Sequence, residues 1–163
     1  MQTSKIANPG GRLRLLDPHA SIAWDFDHTL IDNPHIQFFH KYIRQTPHKR
    51  HMIVTFRTNN IQYAMFDELA AYPDAPTADD FAGFLNIGDA AWAKWNADAS
   101  MRGLGLLTGP PTPAELYFVT WKGMICRKRG LTVLVDDDIG NTVPGCRKHG
   151  IRLFNSITLA SVE

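Results

Sequence analysis

The sequence predicts a single α/β domain whose central sheet is mostly parallel. Short, nearly continuous apolar stretches alternate along the chain with longer segments of helical periodicity, as expected when crossover helices connect parallel strands. The 163 residues correspond to about one domain of ordinary size. With 44% hydrophobic and 20% charged residues, the composition is that of a soluble folded protein and excludes collagen-like, low-complexity and disordered chains.

Five apolar stretches are the candidate strands, because strands buried on both faces are apolar at nearly every position. They are residues 21–24, 52–55, 115–119, 131–135 and 151–154. The third strand is either 115–119 or the earlier FLNI segment at 84–87. Helical patterns fall at residues 35–44, 61–71, 121–129 and 141–149.

Three segments lie outside this alternation. Residues 1–20 contain an Asn-Pro-Gly-Gly turn and form an N-terminal tail or an edge strand, and residues 155–163 form a C-terminal tail. The stretch 72–112 is bounded by prolines and is too long for an ordinary loop, although a helix is expected near 89–102. We interpret 72–112 as an insertion in a domain spanning 21–154, serving either as a small cap or as an oligomer contact.

Charge and cysteine content narrow the function classes. The formal net charge is +1, so the chain lacks the strong electrostatic field expected of a nucleic-acid coat protein or a membrane-surface binder. Cys126 and Cys146 form no CxxC pair, which favours a reducing compartment. No signal peptide or apolar run of about 18 residues is present, so we expect a cytoplasmic protein with no membrane partner.

Three basic clusters, at residues 48–51, 127–129 and 147–149, raise the question of a nucleic-acid partner. Each one precedes a predicted strand, which places it at the amino edge of the sheet. Two of them also end predicted helices, where cations complement the helix dipole. We favour that structural role, and a nucleic-acid partner stays open but unsupported.

Acidic residues follow two of the predicted strands. Asp25 and Asp27 come after the first strand, and Asp136, Asp137 and Asp138 come after the fourth. Ligands of open α/β sheets gather at the carboxyl ends of strands, so these side chains are expected at one site. Clustered carboxylates need a hard cation, and oxygen ligands are those that Mg²⁺ prefers. The sequence therefore predicts a magnesium site.

Thr55 and Lys122 complete this pattern. Thr55 ends the second predicted strand, and Lys122 lies at the start of a helix that precedes the fourth. Taken alone, a threonine at a strand end is more often a helix cap and a lysine in a first helical turn is usually solvated. Their combination with the two acidic groups favours a shared role.

The joint pattern resembles the haloacid dehalogenase superfamily. The sequence WDFDHTL is similar to the family's DxDxT motif, Thr55 in IVTFR to its second motif, and Lys122 in TWKG to its third. LVDDDIGN resembles the acidic fourth motif, with Asp136 and Asp137 as the pair and Asn141 as its asparagine. The resemblance spans about residues 21–154 and leaves out the insertion and the N-terminal tail.

The resemblance implies a Rossmann-like three-layer α/β/α sandwich with a mostly parallel five-stranded sheet, of the small-cap or capless type. It implies that Asp25 attacks phosphorus and forms an aspartyl-phosphate, while Asp27 acts as general acid and then base. The second aspartate of DxDxT goes with phosphoryl rather than halide transfer. Mg²⁺ would be held by Asp25, the backbone carbonyl of Asp27 and Asp137.

The remaining site residues have less specific roles. Asp136 either binds Mg²⁺ through water or orients Asp137, and Asp138 is expected to cap the next helix. By the resemblance, Thr55 would bind a phosphate oxygen and Lys122 would offset charge near the nucleophile.

Arg57 either reaches substrate or is surface-exposed, and His28 either adjusts the titration of Asp27 or packs locally. Trp92 and Trp95 share a helix face in the insertion, where they either stack on substrate or join the core.

The expected function is hydrolysis of a small phosphorylated metabolite or nucleotide by a Mg²⁺-dependent phosphatase. One alternative is a phosphatase acting on 3′- or 5′-phosphate ends of nucleic acid. Another is a catalytically silent binding module with the same fold. The intact set of Asp25, Asp27, Thr55, Lys122 and Asp137 weighs against the module, which has no need of a proton-transfer aspartate.

Overall fold

The computed structural model describes residues 8–62 and 64–162. Within these residues one six-stranded sheet has the strand order β3-β2-β1-β4-β5-β6. The strands are β1 Ser21–Trp24, β2 Arg50–Thr55, β3 Phe84–Asn86, β4 Val133–Asp136, β5 Arg152–Asn155 and β6 Ala160–Val162. The first five are parallel to their neighbours, and β6 alone pairs antiparallel with β5. The predicted α/β class with a mostly parallel sheet is confirmed.

Helices connect the strands as crossover units require. They are α1 Pro9–Arg12, α2 Ile36–Gln45, α3 Asn59–Gln62, α4 Met65–Ala70, α5 Asp89–Gly103, α6 Pro113–Lys128 and α7 Ile139–His149. Two short 3₁₀ helices cover Leu13–Leu16 and Ala78–Asp80. Local chemistry sets the helix ends: α7 stops at Gly150, which adopts the left-handed conformation that glycine tolerates best.

Alternate residues of each strand point to opposite faces, so the sheet has an apolar core on each side. On one face, Ile22 and Trp24 pack in a cluster that includes Phe39 of α2 and Leu69 of α4. On the other face, Ala23 belongs to a cluster of strand residues that also includes side chains of α6 and α7. Helices therefore cover both faces and leave the carboxyl ends of the strands as the accessible edge.

The predicted third strand at 115–119 is wrong, because these residues lie inside α6. Thr112 and Glu115 form a capping box around Pro113, and this arrangement starts a helix rather than a strand. The alternative FLNI segment supplies β3, which pairs with β2 at the sheet edge.

Both ends of the described chain also differ from the prediction. Residues 9–16 form α1 and a 3₁₀ helix, so an edge strand there is wrong, whereas residues 1–7 lie outside the described residues. Near the C-terminus, a turn that ends at Leu159 with φ 53° reverses the chain and adds β6 to the sheet. The sheet therefore has six strands, not the predicted five.

The segment 72–112 contributes directly to the domain. It contains β3, which extends the sheet, and α5, which packs against α6. Because the segment forms a strand and a helix of the domain, it is longer than an ordinary loop. A role as a cap or as an oligomer contact stays a prediction.

α6 and α7 cross at unusually close range. A Cβ atom built on Gly123 of α6 would lie 2.1 Å from the carbonyl carbon of Gly145 in α7. One built on Gly145 would lie 2.7 Å from the Cα atom of Thr120. The crossing therefore requires glycine on both helices, and it holds in place the turn of α6 that carries Lys122.

None of the described helices combines the length and apolar character needed to cross a bilayer.

Candidate functional site

The site lies where β1 and β4 end side by side. The two strands are parallel neighbours, and the N–H of Asp25 extends their pairing by donating to the Val135 carbonyl at 2.9 Å. Carboxylates that follow the two strands therefore meet at one edge of the sheet. Oxygen atoms of Asp25, Asp136 and Asp137 all lie within 4.8 Å of one another.

Lys122 bridges two of these carboxylates. Its Nζ donates to Asp25 Oδ1 and to Asp136 Oδ2, each at 2.7 Å, and its side chain is 1% exposed. The position follows from α6, whose inward face brings residue 122 under the strand ends. The predicted helix start at Lys122 is wrong, because α6 begins at Pro113 and Lys122 lies in its middle. There it is a buried cation shared by two buried anions.

Burial controls the protonation of this group. Burial raises the pKa of Asp25 to about 6 and that of Asp136 to about 7, while the positive charge of Lys122 opposes the shift in both. Burial lowers the pKa of Lys122, but Asp136 and Asp25 outweigh this effect and hold it above its usual range. Half-buried Asp137 also has a raised pKa, through burial and then the charge of Asp136.

The loop after β4 is fixed by its own hydrogen bonds. Asp136 Oδ1 accepts from the N–H of Asp138 at 2.8 Å, so both oxygens of Asp136 have protein partners. Asp138 caps α7 by accepting from the N–H of Asn141, and it also accepts from the Asn141 side chain at 2.8 Å. The predicted capping role of Asp138 is confirmed, and Asn141 supports that cap.

The carboxylate cluster fits a hard divalent cation. Asp25, Asp136 and Asp137 offer only oxygen donors, and these are close enough to share one ion. Asp25 binds Lys122 through Oδ1, so one of its two oxygens already has a buried cationic partner. The three residues could therefore hold a metal ion at the predicted place.

Asp27 is held by a different partner. Arg57 Nε donates to Asp27 Oδ2 at 2.9 Å, and Arg57 Nη2 donates to Asp27 Oδ1 at 2.7 Å. The adjacent edge of the guanidinium, formed by Nη1 and Nη2, binds both oxygens of Glu68, each at 2.7 Å. Glu68 could not be predicted as a site residue, because no motif or helical spacing relates a residue of α4 to the end of β2.

Thr55 ends β2 and is 1% exposed. Its Oγ1 accepts from the N–H of Arg57 at 3.1 Å, which closes a tight turn at the carboxyl end of the strand. The hydroxyl proton stays available for a ligand oxygen.

An open cleft of about 450 Å³ lies over these side chains. Its lining brings together most of the residues singled out in the sequence, with Phe56 and Ile61 as its apolar part. The lining residues are Asp25, Asp27, His28, Thr55, Phe56, Arg57, Ile61, Lys122, Asp137 and Asp138. A cleft of this size accommodates a small ligand.

Trp92 and Trp95 do not line this cleft. The ring of Trp95 stacks on Phe118 of α6 at 3.8 Å, and Phe118 stacks on Phe56 at 4.1 Å. Lys122 Nζ lies 4.3 Å from the centre of the Phe56 ring. The two tryptophans share a helix face as predicted, but Trp95 uses it to support the aromatic wall behind Lys122.

His28 lies at the rim of the cleft. It is exposed and adopts a left-handed conformation with φ 56°, and its carbonyl accepts from the Asn33 side chain at 2.7 Å. The residue therefore shapes the turn between Asp27 and the following loop.

Several of the basic residues are used within the fold. Lys49 Nζ donates to the carbonyls of Asp17 and His19, both at 2.7 Å, and Arg50 donates to the Arg129 carbonyl. The basic residues of the other two clusters lie at the carboxyl ends of α6 and α7. These contacts fit the structural role that the sequence favours for the three basic clusters.

No protein-family model matches this chain, and neither the curated proteins nor the solved structures provide a match. The resemblance to the haloacid dehalogenase superfamily therefore depends on the four sequence motifs alone. We infer the function from the chemistry of the carboxylates, the buried lysine and the cleft above them.

Proposed function

We propose that this chain is a magnesium-dependent phosphomonoester hydrolase of the haloacid dehalogenase type, acting through an aspartyl-phosphate on Asp25. The observation that carries the proposal is the buried contact of Lys122 with Asp25 at the floor of an open cleft. A carboxylate placed beside a fixed cation and a second acidic group has the surroundings of a nucleophile for an anionic substrate. We propose a small phosphorylated metabolite or nucleotide as the substrate.

Asp25 would attack phosphorus through Oδ2, the oxygen that does not bind Lys122. A bond forms between Asp25 and phosphorus, and the bond from phosphorus to the leaving oxygen breaks. In the reactive complex Asp27 is protonated and gives this proton to the leaving oxygen. The resulting carboxylate later takes a proton from the water that attacks the aspartyl-phosphate. Inorganic phosphate leaves and Asp25 is regenerated.

Lys122 and Thr55 would serve the anionic groups. Lys122 offsets the charge of Asp25 and Asp136, which allows a phosphate to approach a buried carboxylate. Thr55 can donate its hydroxyl proton to a phosphate oxygen, since its other hydrogen bond uses an oxygen lone pair. Both side chains are fixed by the fold before substrate arrives, as preorganised charge stabilisation requires.

Asp25, Asp136 and Asp137 are the residues that would hold Mg²⁺. A bound magnesium ion would supply positive charge between the carboxylates and the phosphate oxygens. Asp136 is the least free to bind directly, because both of its oxygens accept hydrogen bonds from Lys122 and the Asp138 N–H. This supports the hypothesis that Asp136 acts through water or by orienting Asp137.

The fold supports the proposal at a coarser level. Five parallel strands in the order 3-2-1-4-5, with helices on both faces, fit a three-layer Rossmann-like sandwich. Residues 72–112 supply β3 and α5 to that sandwich, and this favours the capless type over the small-cap type.

The decisive experiment measures hydrolysis of an aryl phosphate by the purified protein with and without Mg²⁺, beside an Asp25→Asn variant. We expect Mg²⁺-dependent turnover that the substitution abolishes. Nucleotides, sugar phosphates and phosphate-terminated oligonucleotides then identify the substrate. Absence of turnover, together with failure of beryllium fluoride to bind at Asp25, would favour the binding module instead.

A further inference from the structure

Arg57 links the carboxylate of Asp27 to that of Glu68, and the proposed scheme leaves both Arg57 and Glu68 without a role. The cation binds each carboxylate through two hydrogen bonds, with donor–acceptor distances between 2.7 and 2.9 Å. We propose that Arg57, anchored by Glu68, is the positioning residue that fixes the orientation of Asp27 in the cleft. This inference rests on the proposed function and identifies what makes its acid–base residue effective.

Asp27 needs such a partner because packing does not hold it. Its side chain is 43% exposed, and it lies in the loop after β1 rather than in the strand. A carboxylate bound at both oxygens by a planar guanidinium is fixed in position and in rotation. One hydrogen bond, or a lysine in place of arginine, would fix its position only.

Arg57 is itself held on several sides. Its side chain is only 11% exposed, and its guanidinium carbon lies 4.6 Å from the centre of the Phe26 ring. Its backbone N–H donates to Thr55 Oγ1, and Glu68 binds the neighbouring edge of the guanidinium through Nη1 and Nη2. The anchor therefore extends from the strand end through Arg57 to α4.

The same contacts argue against Arg57 as a free phosphate-binding residue. Its Nε binds Asp27, its Nη1 binds Glu68, and its Nη2 binds both carboxylates. Two negative charges surround one positive charge, so the group offers an incoming anion no net attraction. The hypothesis that Arg57 contacts substrate is therefore less well supported than a role through Asp27.

Loss of this orientation should affect proton transfer more than binding. A misplacement of about 1 Å can cost about 100-fold in rate. Leaving groups that need a proton, such as alkyl alcohols, depend on Asp27, whereas nitrophenolate leaves without one. Arg57→Ala should therefore lower kcat/KM, which reports only the steps up to departure of the leaving group, by about 100-fold for an alkyl phosphate and by less than about 10-fold for p-nitrophenyl phosphate.

The experiment compares both substrates with Arg57→Ala, Arg57→Lys and Arg102→Ala. Arg102 is a matched control, because it makes the same two-point contact with Glu115 and does not line the cleft. We expect Arg57→Lys to restore little of the alkyl phosphate activity, and Arg102→Ala to keep the wild-type ratio between the two substrates. Full rescue by lysine, or equal losses of kcat/KM on both substrates, would overturn the proposal.

Two further variants keep the test independent of folding defects. In an Asp27→Asn background, Arg57→Ala should lower the remaining kcat by less than about twofold, because its effect passes through Asp27. Glu68→Gln, which keeps the shape of the anchor, should give an intermediate loss with the same substrate dependence. A full loss from Arg57→Ala in the Asp27→Asn background would refute positioning. Absence of wild-type turnover would instead refute the proposed function.

Discussion

The Nζ atom of Lys122 lies 2.7 Å from a carboxylate oxygen of Asp25, and both side chains are buried. The two residues are 97 positions apart in the sequence, so the contact depends on the docking of α6 under the ends of β1 and β4. Removing the lysine would leave the carboxylates of Asp25 and Asp136 facing each other without a cation. The pair therefore links the stability of the domain to the chemistry of its cleft.

Lys122→Met should destabilise the protein by about 3–5 kcal/mol, because breaking a buried ion pair leaves uncompensated charge in the core. Urea unfolding followed by circular dichroism measures the loss. Adding Asp136→Asn to the Lys122→Met protein should recover part of it, since one of the two anions is then removed. Lys128→Met, at an exposed position on the same helix, serves as the control and should change stability by less than about 0.5 kcal/mol. If Lys122→Met changed stability as little as the control, the assignment of Lys122 as the buried partner of Asp25 and Asp136 would be wrong.

Mg²⁺ should stabilise the folded protein if the carboxylate cluster binds it. At a free Mg²⁺ concentration 100-fold above Kd, the expected gain is about 2.7 kcal/mol, which corresponds to about 5–10 °C in Tm for a chain of this size. Asp137→Asn should abolish most of that gain, because it removes a half-buried oxygen ligand of the cluster. Differential scanning fluorimetry measures the shift.

The control for the magnesium prediction is Asp79→Asn, which changes an exposed aspartate outside the cluster. This variant should keep the full Mg²⁺-dependent shift. An equal shift in the Asp137→Asn protein would mean that magnesium binds elsewhere or acts through general charge screening.

The sequence was sufficient to predict the acidic site because its elements are local. Asp25 follows β1, Asp136 ends β4 and Asp137 follows β4, and parallel strands end at the same edge. The three carboxylates are therefore expected to lie close together once β1 and β4 are adjacent in the sheet. The buried contact of Lys122 with both carboxylates is a property of tertiary packing, and no local pattern contains it.

The errors have different origins. Residues 115–119 are apolar enough for a strand, but the capping box at Thr112 commits them to a helix. The antiparallel β6 and the Arg57–Glu68 pair have no local signal, because each depends on how distant segments meet. Trp95 is a third case: the helical spacing predicts its face, but its partner Phe118 lies in a segment whose apolar pattern predicts a strand.

His51 provides a pH-dependent contribution to stability. Its ring is buried, Trp24 Nε1 donates to its Nδ1 at 3.0 Å, and its Nε2 lies 3.0 Å from the Thr46 hydroxyl. Because Nδ1 accepts a hydrogen bond, the ring is neutral with its proton on Nε2. Burial lowers the pKa of His51 below its ordinary value of 6.5.

A histidine whose pKa is lowered by folding binds fewer protons in the folded state than in the unfolded state. Its contribution to stability is therefore present above about pH 6.5 and is lost as the pH falls through that value. His51→Asn, which keeps an acceptor for Trp24, should reduce the slope of unfolding free energy against pH between pH 5 and 7. His48→Asn, an exposed neighbour, is the control, and a slope change equal in both variants would contradict a specific role of His51.

The glycine crossing of α6 and α7 gives the most severe expected stability defect. An alanine at Gly123 would place its Cβ 2.1 Å from the carbonyl carbon of Gly145. The nearest atoms that this Cβ would meet, in Gly145 and Cys146, all belong to the backbone. Backbone cannot move aside as a flexible side chain can, so the helices must separate. Gly123→Ala should therefore cost about 3 kcal/mol or more and displace Lys122 from Asp25, with a matching loss of any Mg²⁺-dependent stabilisation.

Gly103→Ala, in α5, tests whether the cost at Gly123 comes from the crossing rather than from glycine in general. No atom lies within 4 Å of a Cβ built at Gly103, so alanine there should be neutral or should stabilise by up to about 1 kcal/mol through its higher helix propensity. Urea unfolding of the two variants measures opposite signs if the helices meet as described. Equal and small effects would mean that α6 and α7 lie farther apart, and the buried position of Lys122 would then lose its structural basis.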